Sequence, residues 1–547
     1  MAHTPLYRTL VRALLQARRD HLTIAGGPLP GAGPWSRRRF LGTAAAVTGA
    51  ALAGAHPTWG QDDPAPGPPA ADAPTHRVAV VGGGICGMHA AYRLLKAGMD
   101  VVLYEASGRV GGRILTRISA LGPGLVTELG GEFINSNHAD MLALAREFEL
   151  RVFNRAETPA GRRFPNSAYY FGGTRRDEAE LVRLLGPLAA RIAGDAALLD
   201  ADPDTWVAAF DRLSVTAYLD RHADLIPQPW VRTLIETSIR TEFGLEPGQA
   251  SAVQLLYNLP TVDGNTFELL SLSDEAYRIQ GGNGRLIAAL AETLGERIHT
   301  GHRLASVLAK PGEPVRLGFQ DGRFVVVDQV IITIPFTVLR GIPIEAPLPA
   351  LMRRAIAELG LGRNEKVVGG FSGRVWQRPD GFVSQAWTDL GFAEVWDASH
   401  HQPNRTDAAL TFFLGGDETA ALAAASRGSD AQGKGQAFAE RLDRYLPGVR
   451  AAATGRWART AWTTDPYSLG AYSSYQPGQV STFGDLRWTE PADPAARREV
   501  RFDNLVFAGE HLSEAYFGYM NGGAQTGRLA AESVLRVAAA RAGASDP

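Results

Sequence analysis

Three glycines and one acid carry the first chemistry visible in the chain. Gly82, Gly84 and Gly87 are spaced G-x-G-x-x-G, and Glu105 follows 23 residues after the first. Glycine at these points permits a tight turn, lets backbone approach a pyrophosphate, and lets a helix pack close to a strand. A helix opening there turns unpaired N–H groups and its positive dipole end toward phosphate. A carboxylate at the spacing of Glu105 accepts from a ribose 2′-hydroxyl and repels a 2′-phosphate, which favours FAD or NAD over NADP. A second glycine centre lies near the other end of the chain. Gly509-Glu510 follows an apolar run, and Gly518-Tyr519-Met520-Asn521-Gly522-Gly523 precedes a helical pattern. Backbone N–H groups there suit an anion or a developing negative charge. Two such turns at opposite ends of one chain suit a long cofactor gripped at both ends. Lys366 is the third feature. The chain has 55 basic residues and only four lysines, at 96, 310, 366 and 434. A buried lysine can shed its proton, as arginine cannot. The ordinary reading of a lysine in a strand is a solvated edge charge.

The elements that must position these groups follow from periodicity. An apolar strand, Val78 to Val81, leads into the first glycines; a helix is expected from Met88 to Ala97, and a second strand from Val101 to Tyr104. This βαβ order is what a dinucleotide site needs. An amphipathic helix is expected from about His138 to Leu150. From Arg176 to Leu259 the pattern is mainly helical, including Glu178–Leu199 and Trp230–Glu242, and interrupted by Pro227, Pro229, Gly244 and Pro247. Strand–helix alternation resumes near Arg278, with a helix from Arg285 to Leu294 and strands at Arg303–Leu308, Phe324–Val327 and Gln329–Ile334. A further excursion holds strands Lys366–Phe371 and Ala409–Leu414 and a helix near Gln436–Tyr445. The chain closes with a strand at Leu505–Ala508 and a terminal helix to about Arg541.

Length and composition bound the rest. A chain of 547 residues is too long for one simple core. Its net charge of −2 offers no basic nucleic-acid surface. Cys86 is the sole cysteine, so no intrachain disulfide and no cysteine-based metal cluster is expected; no H-E-x-x-H or G-x-S-x-G motif is present, and no metal site is expected. Met1 to Ala55 reads as a targeting segment. Ser36-Arg37-Arg38-Arg39-Phe40-Leu41 matches the twin-arginine pattern, a weakly apolar run follows, and Ala53-Gly54-Ala55 offers a cleavage site. A cleaved signal is favoured over a membrane anchor, because the run is short for a span of about 20 residues. Periplasmic or secreted export through the twin-arginine route is the expectation, with no stable membrane span after cleavage. His56 to Thr75 holds six prolines and reads as a linker.

The motifs taken together resemble the flavin-containing amine oxidases: monoamine oxidases, polyamine oxidases and L-amino-acid oxidases. The carriers are Val80–Gly87, the Glu105–Arg113 run with its Gly111-Gly112-Arg113 doublet, Glu128–Phe133 (ELGGEF), Gly281–Leu286, Phe507–His511 (FAGEH), and the final GYMNGGAQTG. The resemblance covers nearly all of the chain after His76. It implies an α/β fold: a Rossmann-like FAD-binding domain of the glutathione-reductase-like, GG-doublet type, with an inserted α+β substrate-binding domain. The corresponding division is 1–55 signal, 56–75 linker, 76–150, 278–340 and 459–547 FAD-binding, and 151–277 and 341–458 substrate-binding.

The resemblance also assigns roles. Glu105 would bind the adenosine ribose and Arg113 would lie near the pyrophosphate. Leu304 would meet the adenine end through backbone, and Glu510 the ribityl–pyrophosphate region. Gly112, Gly130, Gly131, Gly509 and Met520 join Gly82, Gly84 and Gly87 as cofactor contacts. The helix after Tyr519 would aim its N-terminus at the flavin N1–C2=O edge. Trp462 would pack beside the flavin, and Lys366 would hold a water at N5. Tyr472 and Tyr519 match the aromatic cage that steers a neutral amine to N5; with no resemblance, each would read as a core tyrosine. Ala471 stands where covalent-flavin monoamine oxidases carry cysteine, which implies non-covalent FAD. Phe133 stands where venom-type L-amino-acid oxidases carry the arginine that clamps the substrate carboxylate. Either the substrate lacks a carboxylate or another arginine serves, Arg240 being one candidate.

The reaction so implied is oxidation of the C–N bond of a primary amine or amino acid to an imine. Hydrolysis then gives an aldehyde or 2-oxo acid and ammonia, with oxygen as acceptor and hydrogen peroxide as product. Alternatives are an L-amino-acid oxidase proper, a flavin dehydrogenase that passes electrons to a quinone, a structural flavoprotein, and an NAD-linked dehydrogenase. The partners expected are a small amine or amino acid and oxygen, without nucleic acid; a homodimer is left open.

Overall fold

The computed structural model describes residues 76–544 apart from 156–159, 161–162, 258–260, 264–265, 269–272, 424–429, 492 and 494–495. The expected signal and linker, residues 1–75, lie outside the described residues.

Two sheets carry the architecture. The first has six strands in the order Ile298–His299, Asp100–Tyr104, Arg77–Val81, Gln329–Ile332, Leu505–Phe507, Arg501–Phe502. All its neighbours run parallel except the last pair. Parallel strands are covered on both faces, and the sequence obeys: Val78, Ala79 and Val80, then Val330 and Ile331, are fully buried. Strand Arg77–Val81 has Asp100–Tyr104 on one side and Gln329–Ile332 on the other, so the strand order reverses at its carboxyl end. Open α/β sheets bind ligands in the crevice at such a point.

The helix expected from Met88 begins at Ile85 and runs Ile85–Lys96. It opens directly after Gly84, an extended residue at φ −73° and ψ 177°. Its first bonded amide is Met88, which donates to Gly84 O at 2.9 Å, so the amides before it are turned outward. The C-terminal helix Met520–Ala544 packs along it. A Cβ on Gly527 would lie 2.2 Å from the Cys86 carbonyl oxygen, so glycine is what lets these two backbones approach.

The second sheet has seven strands: Ala453–Arg459, Asn364–Phe371, Ala408–Gly415, Glu394–Asp397, Gln385–Thr388, Ser167–Phe171 and Thr174–Arg176. Its strands come from two separated stretches of chain. One face packs Val367, Phe412, Val395, Ala386 and Ala168 into a core of its own. The opposite face aligns a different row: Lys366, Phe413, Glu394, Trp387 and Tyr169, one residue from each of five adjacent strands. Helix Pro229–Phe243 packs over the sheet, and it ends where Gly244 adopts φ 60°. The helices expected over 178–199 and 230–242 are present as Glu178–Ala201 and Pro229–Phe243. Strands Ser167–Phe171, Gln385–Thr388 and Glu394–Asp397 were not expected. They are short and buried, with no polar alternation to mark them.

Candidate active site

At the carboxyl end of the parallel sheet, Gly82 takes φ 112°, a conformation open to glycine. A Cβ on Gly87 would lie 1.9 Å from the Gly82 carbonyl oxygen, whereas one on Gly84 would meet nothing within 4 Å. The loop is therefore closed against its own strand and open in front of the helix N-terminus. Glu105 ends the second strand, buried, accepting from Gly83 N at 2.7 Å and Ser107 N at 2.8 Å. Each carboxylate oxygen keeps a lone pair for a further donor. Leu304, also buried, lies two residues beyond His302, whose N–H donates to Glu105 O at 2.9 Å. The distant 304 segment is thereby tied to the acid.

A second knot joins three segments. Arg113 donates to Ala471 O and to Glu510 Oε1, both at 2.8 Å. Glu510 Oε2 accepts from Ser473 Oγ at 2.5 Å and Gly518 N at 2.7 Å. Burial alone would raise the Glu510 pKa; Arg113 and the other donors outweigh it and hold the carboxylate ionised. One acid thus fixes the loops that carry Tyr472 and Tyr519. Gly509, just before it, is at φ 148°. Nearby, Asn283 Nδ2 donates to Gly131 O at 3.0 Å and Glu132 O at 2.9 Å, and a Cβ on Gly131 would meet the Met520 side chain at 2.7 Å. The Gly130-Gly131 turn and the head of the C-terminal helix are in direct contact.

Lys366 is no edge charge. Its strand lies between two others, and its ammonium is buried, donating to Gly130 O at 2.9 Å, Glu128 O at 3.2 Å and Glu132 Oε2 at 2.7 Å. Glu132 also pairs with Arg278 at 2.8 Å and accepts from Trp396 Nε1 at 3.1 Å. Burial pushes the Glu132 pKa up, but Arg278 and Lys366 bring it below the ordinary carboxylate value. The neighbour of Lys366 does structural work: Glu365 accepts from Thr460, Trp462 N and Thr463, and Trp462 Nε1 donates to Leu129 O at 3.0 Å. This places Trp462 beside the Gly130 turn.

Tyr472 and Tyr519 are both half-buried. The Tyr472 hydroxyl donates to Thr241 O, and Tyr519 meets His138 edge-on at 5.0 Å. Burial first, and then the nearby Glu242, raise both phenol pKa values, so the rings stay neutral. Glu242, Glu394 and Glu275 lie near enough to Tyr472, and Glu242 and Glu275 near enough to Tyr519, to act on their phenols; none of the three is singled out by the sequence. Burial drives Glu242 up to about 8, with Glu275 adding to the effect. Burial, Glu275 and Glu242 push Glu394 well above its usual value.

Arg240 is not free to clamp a carboxylate. Its guanidinium grips Glu246 at 2.8–3.1 Å, and it is neither a substrate group nor a solvated surface charge. Two other arginines flank Phe133, Arg155 at 4.3 Å and Arg278 at 4.5 Å from the ring centroid. Each is paired, with Glu275 and Glu132 respectively, both at 2.8 Å.

A family model for flavin containing amine oxidoreductases matches residues 85–535. The chain belongs to this family. It is an FAD-dependent oxidoreductase acting on amines. Human amine oxidase [flavin-containing] B is 24% identical over 472 residues, covering 84% of this chain and 86% of that protein. Polyamine oxidase 5 of Oryza sativa subsp. japonica is 25% identical over 489 residues, covering 86% and 89%. Among solved structures, a putrescine oxidase bound to putrescine superposes with TM-score 0.69 at 22% identity, over 84% of this chain and 99% of that one. Cyclohexylamine oxidase from Brevibacterium oxydans IH-35A gives TM-score 0.68 at 23% identity, with the same coverage. These likenesses establish the fold.

The residues present fit FAD. The space in front of Gly84 lies at the switch point of the sheet, with helix amides facing it and Glu105 beside it. The Arg113–Glu510 knot and the Gly130–Met520 contact continue from there toward the two tyrosines. Among the described residues, no cluster of three or more metal-ligating side chains occurs, and no helix is long and apolar enough to cross a membrane.

Proposed function

We propose that this enzyme oxidatively deaminates a primary amine, with oxygen as acceptor. The overall balance is amine plus oxygen plus water to carbonyl compound, ammonia and hydrogen peroxide. One observation carries the reading. Tyr472 and Tyr519 come from separate loops whose neighbouring residues Ser473 and Gly518 are tied to the single carboxylate of Glu510, and the two phenols lie near enough for Tyr519 to raise the Tyr472 pKa. Bound FAD supplies the two-electron acceptor for the C–H bond next to nitrogen. The neutral phenols offer apolar faces that receive an uncharged amine. The pairing of Arg155, Arg278 and Arg240 leaves no uncommitted arginine among these candidates for a substrate carboxylate, which supports an amine over an amino acid.

On the cofactor side, Gly82, Gly84 and Gly87 would admit the pyrophosphate, Glu105 the ribose, and Leu304 the adenine end. Gly112, Arg113, Gly509 and Glu510 would line the middle. Gly130, Gly131, Trp462 and Met520 would surround the flavin, with Lys366 behind the Gly130 carbonyl it bonds. FAD is held non-covalently in this reading: Ala471 offers no thiol and Cys86 is buried. The parallel sheet serves as the cofactor unit and the seven-stranded sheet as the substrate unit. The Ser36–Leu41 pattern supports twin-arginine export of the folded, loaded enzyme. The test is to purify the yellow protein and screen primary amines, polyamines, and L- and D-amino acids for peroxide and for anaerobic bleaching of the flavin. Amine-dependent bleaching with peroxide release is expected. Bleaching without peroxide under air would replace oxygen by another acceptor, and bleaching by none of them would remove the reading.

A further inference from the structure

The strand that carries Lys366 has a second charged residue with a different task. Glu365 is 2% exposed, and no cation among the described residues pairs with it. Its carboxylate instead collects four donors from one short segment. Oε1 accepts from Thr463 N at 2.9 Å and from Thr463 Oγ1 at 2.8 Å. Oε2 accepts from Trp462 N at 3.1 Å and from the Thr460 hydroxyl. The segment needs these bonds. Strand Ala453–Arg459 pairs with Asn364–Phe371 as far as Arg459 opposite Val367, where the ladder ends. Beyond it the amides of Trp462 and Thr463 have left the sheet, and a backbone amide inside a protein must find another acceptor. Glu365 supplies one to each.

Further bonds lock the same junction. Thr460 N donates to Lys366 O at 3.0 Å, and Lys366 N donates to Thr460 Oγ1 at 2.7 Å. Trp462 O accepts from Gly470 N at 2.9 Å, which closes the loop just before Tyr472. Gly362 O accepts from Ala471 N at 2.9 Å, and Gly362 N donates to Tyr472 O at 2.7 Å. Residues 362–366 thus hold the 460–472 loop at both ends. From that loop the Trp462 indole reaches Leu129 O at 3.0 Å, one residue before the Gly130 carbonyl that Lys366 bonds at 2.9 Å. One short run of chain therefore sets two side chains against the same turn, Lys366 directly and Trp462 through Glu365.

We propose that Glu365 is a positioning residue: it fixes the Trp462 indole where it flanks the flavin, and through that indole it sets the rate of flavin reduction. This rests on the reading above that places Trp462 beside the flavin. The donor count specifies a carboxylate. All four contacts are donors, so the group that meets them must accept on both oxygens. Glutamine cannot do so. In either orientation its NH2 faces a backbone amide, Thr463 N or Trp462 N, and an N–H cannot turn round to accept as a hydroxyl can. Glu365→Gln therefore releases the Trp462 segment at almost constant side-chain volume.

The test compares holoenzyme of the wild type, Glu365→Gln, Trp462→Phe and the double variant. An indole packed on a flavin quenches its emission, so the emission of bound FAD, scaled to FAD content, reports the packing without turnover. Both single variants are expected to raise it. The double variant should equal Trp462→Phe, because the carboxylate acts only through the indole. Anaerobic flavin reduction by the best amine substrate should slow by roughly 10- to 100-fold in Glu365→Gln, the range for a misplaced group, with the double variant again matching Trp462→Phe. Unchanged emission in Glu365→Gln, or effects that add in the double variant, would overturn the proposal and leave the placing of Trp462 intact. Unchanged emission in Trp462→Phe would overturn both. Should Glu365→Gln yield no holoenzyme, Thr460→Val decides, since it removes the hydroxyl that joins Glu365 to the Lys366 amide while keeping the shape. Emission must then rise in Thr460→Val and match wild type in Thr460→Ser, which keeps the hydroxyl; equal emission in the two overturns the proposal.

Discussion

Replacing Glu132 by glutamine should cost far more than its modest change in shape. The carboxylate is shared by Arg278 at 2.8 Å and Lys366 at 2.7 Å, with its side chain only 2% exposed and Trp396 Nε1 as third donor. The amide keeps the volume and an acceptor oxygen but removes the charge that two buried cations require. Breaking a buried pair by deleting one partner typically costs about 3–5 kcal/mol. Two cations on one carboxylate place Glu132→Gln toward the upper end. Lys366 can relieve its share by losing a proton, whereas Arg278 cannot. The double variant with Lys366→Met should therefore be less destabilised than the sum of the singles, by about 0.5–3 kcal/mol. For a chain of this size each kcal/mol shifts the melting midpoint by roughly 1–2 °C, extending the known size scaling. A fall of roughly 3–10 °C is expected in Glu132→Gln at saturating FAD, read by thermal melting at neutral pH. The pH dependence has a definite sign. The Glu132 pKa is held below its ordinary 4.5, so its stabilisation is complete above that value and fades as pH drops through the lowered pKa. The gap between wild type and variant must close in acid. A variant within about 0.5 kcal/mol of wild type at neutral pH, or a gap that does not narrow in acid, refutes the reasoning.

Further outcomes follow from the same geometry. Lys366→Met should leave FAD bound but slow flavin reduction or reoxidation in stopped-flow traces; unchanged rates for both would end the functional role given to this lysine. Gly84→Ala and Gly87→Ala should fail differently. A Cβ at 84 meets only open space and should permit folding while obstructing the phosphates, so soluble protein emerges with weakened FAD affinity. At 87 the Cβ would lie 1.9 Å from a backbone oxygen, so expression and thermal stability themselves should fall. Equal stability of the two variants by circular-dichroism melting would contradict this. Glu242→Gln should stabilise the substrate-free protein as pH rises. The wild-type carboxyl, raised from 4.5 to about 8, favours the folded state less and less between those values, and the amide removes that loss. Melting midpoints of the pair should therefore diverge from pH 5 to 8, and parallel curves would count against the burial of this acid.

The parts of the site that were legible in the sequence are those made by local geometry. Gly82, Gly84 and Gly87 announce themselves because a turn and a close backbone approach each demand glycine within a few residues of a strand. The helix after Gly84 begins three residues before the expected Met88, because its first turn is Ile85-Cys86-Gly87 and glycine there carries no helical signal. Lys366 was legible only through resemblance. Taken alone, Asn-Glu-Lys-Val-Val-Gly-Gly-Phe has the charges of an exposed strand end. In the fold Ala408–Gly415 and Ala453–Arg459 pair with its two edges, and all eight of its residues are buried.

The buried acids of this region are hidden for a stronger reason. Glu132, Glu242, Glu275 and Glu394 come from a turn, a helix end, a loop and a short strand, and none of these settings by itself separates an inward carboxylate from a solvated one. Glu242 belongs to a helix whose neighbour Arg240 does turn to an acid partner, Glu246, so the local pattern suggests an ordinary polar end. What distinguishes the four is which of them receives a cation. Glu132 takes two and Glu275 one, while Glu242 and Glu394 receive none. That difference depends on register: Glu394 shares the Lys366 row because it pairs with Phe413, and a one-residue slip would turn it into the apolar core on the other face. The inward placing of Glu394 thus depends on strand pairing, and that pairing, between strands separated by a loop, leaves no trace in any short local window of the chain.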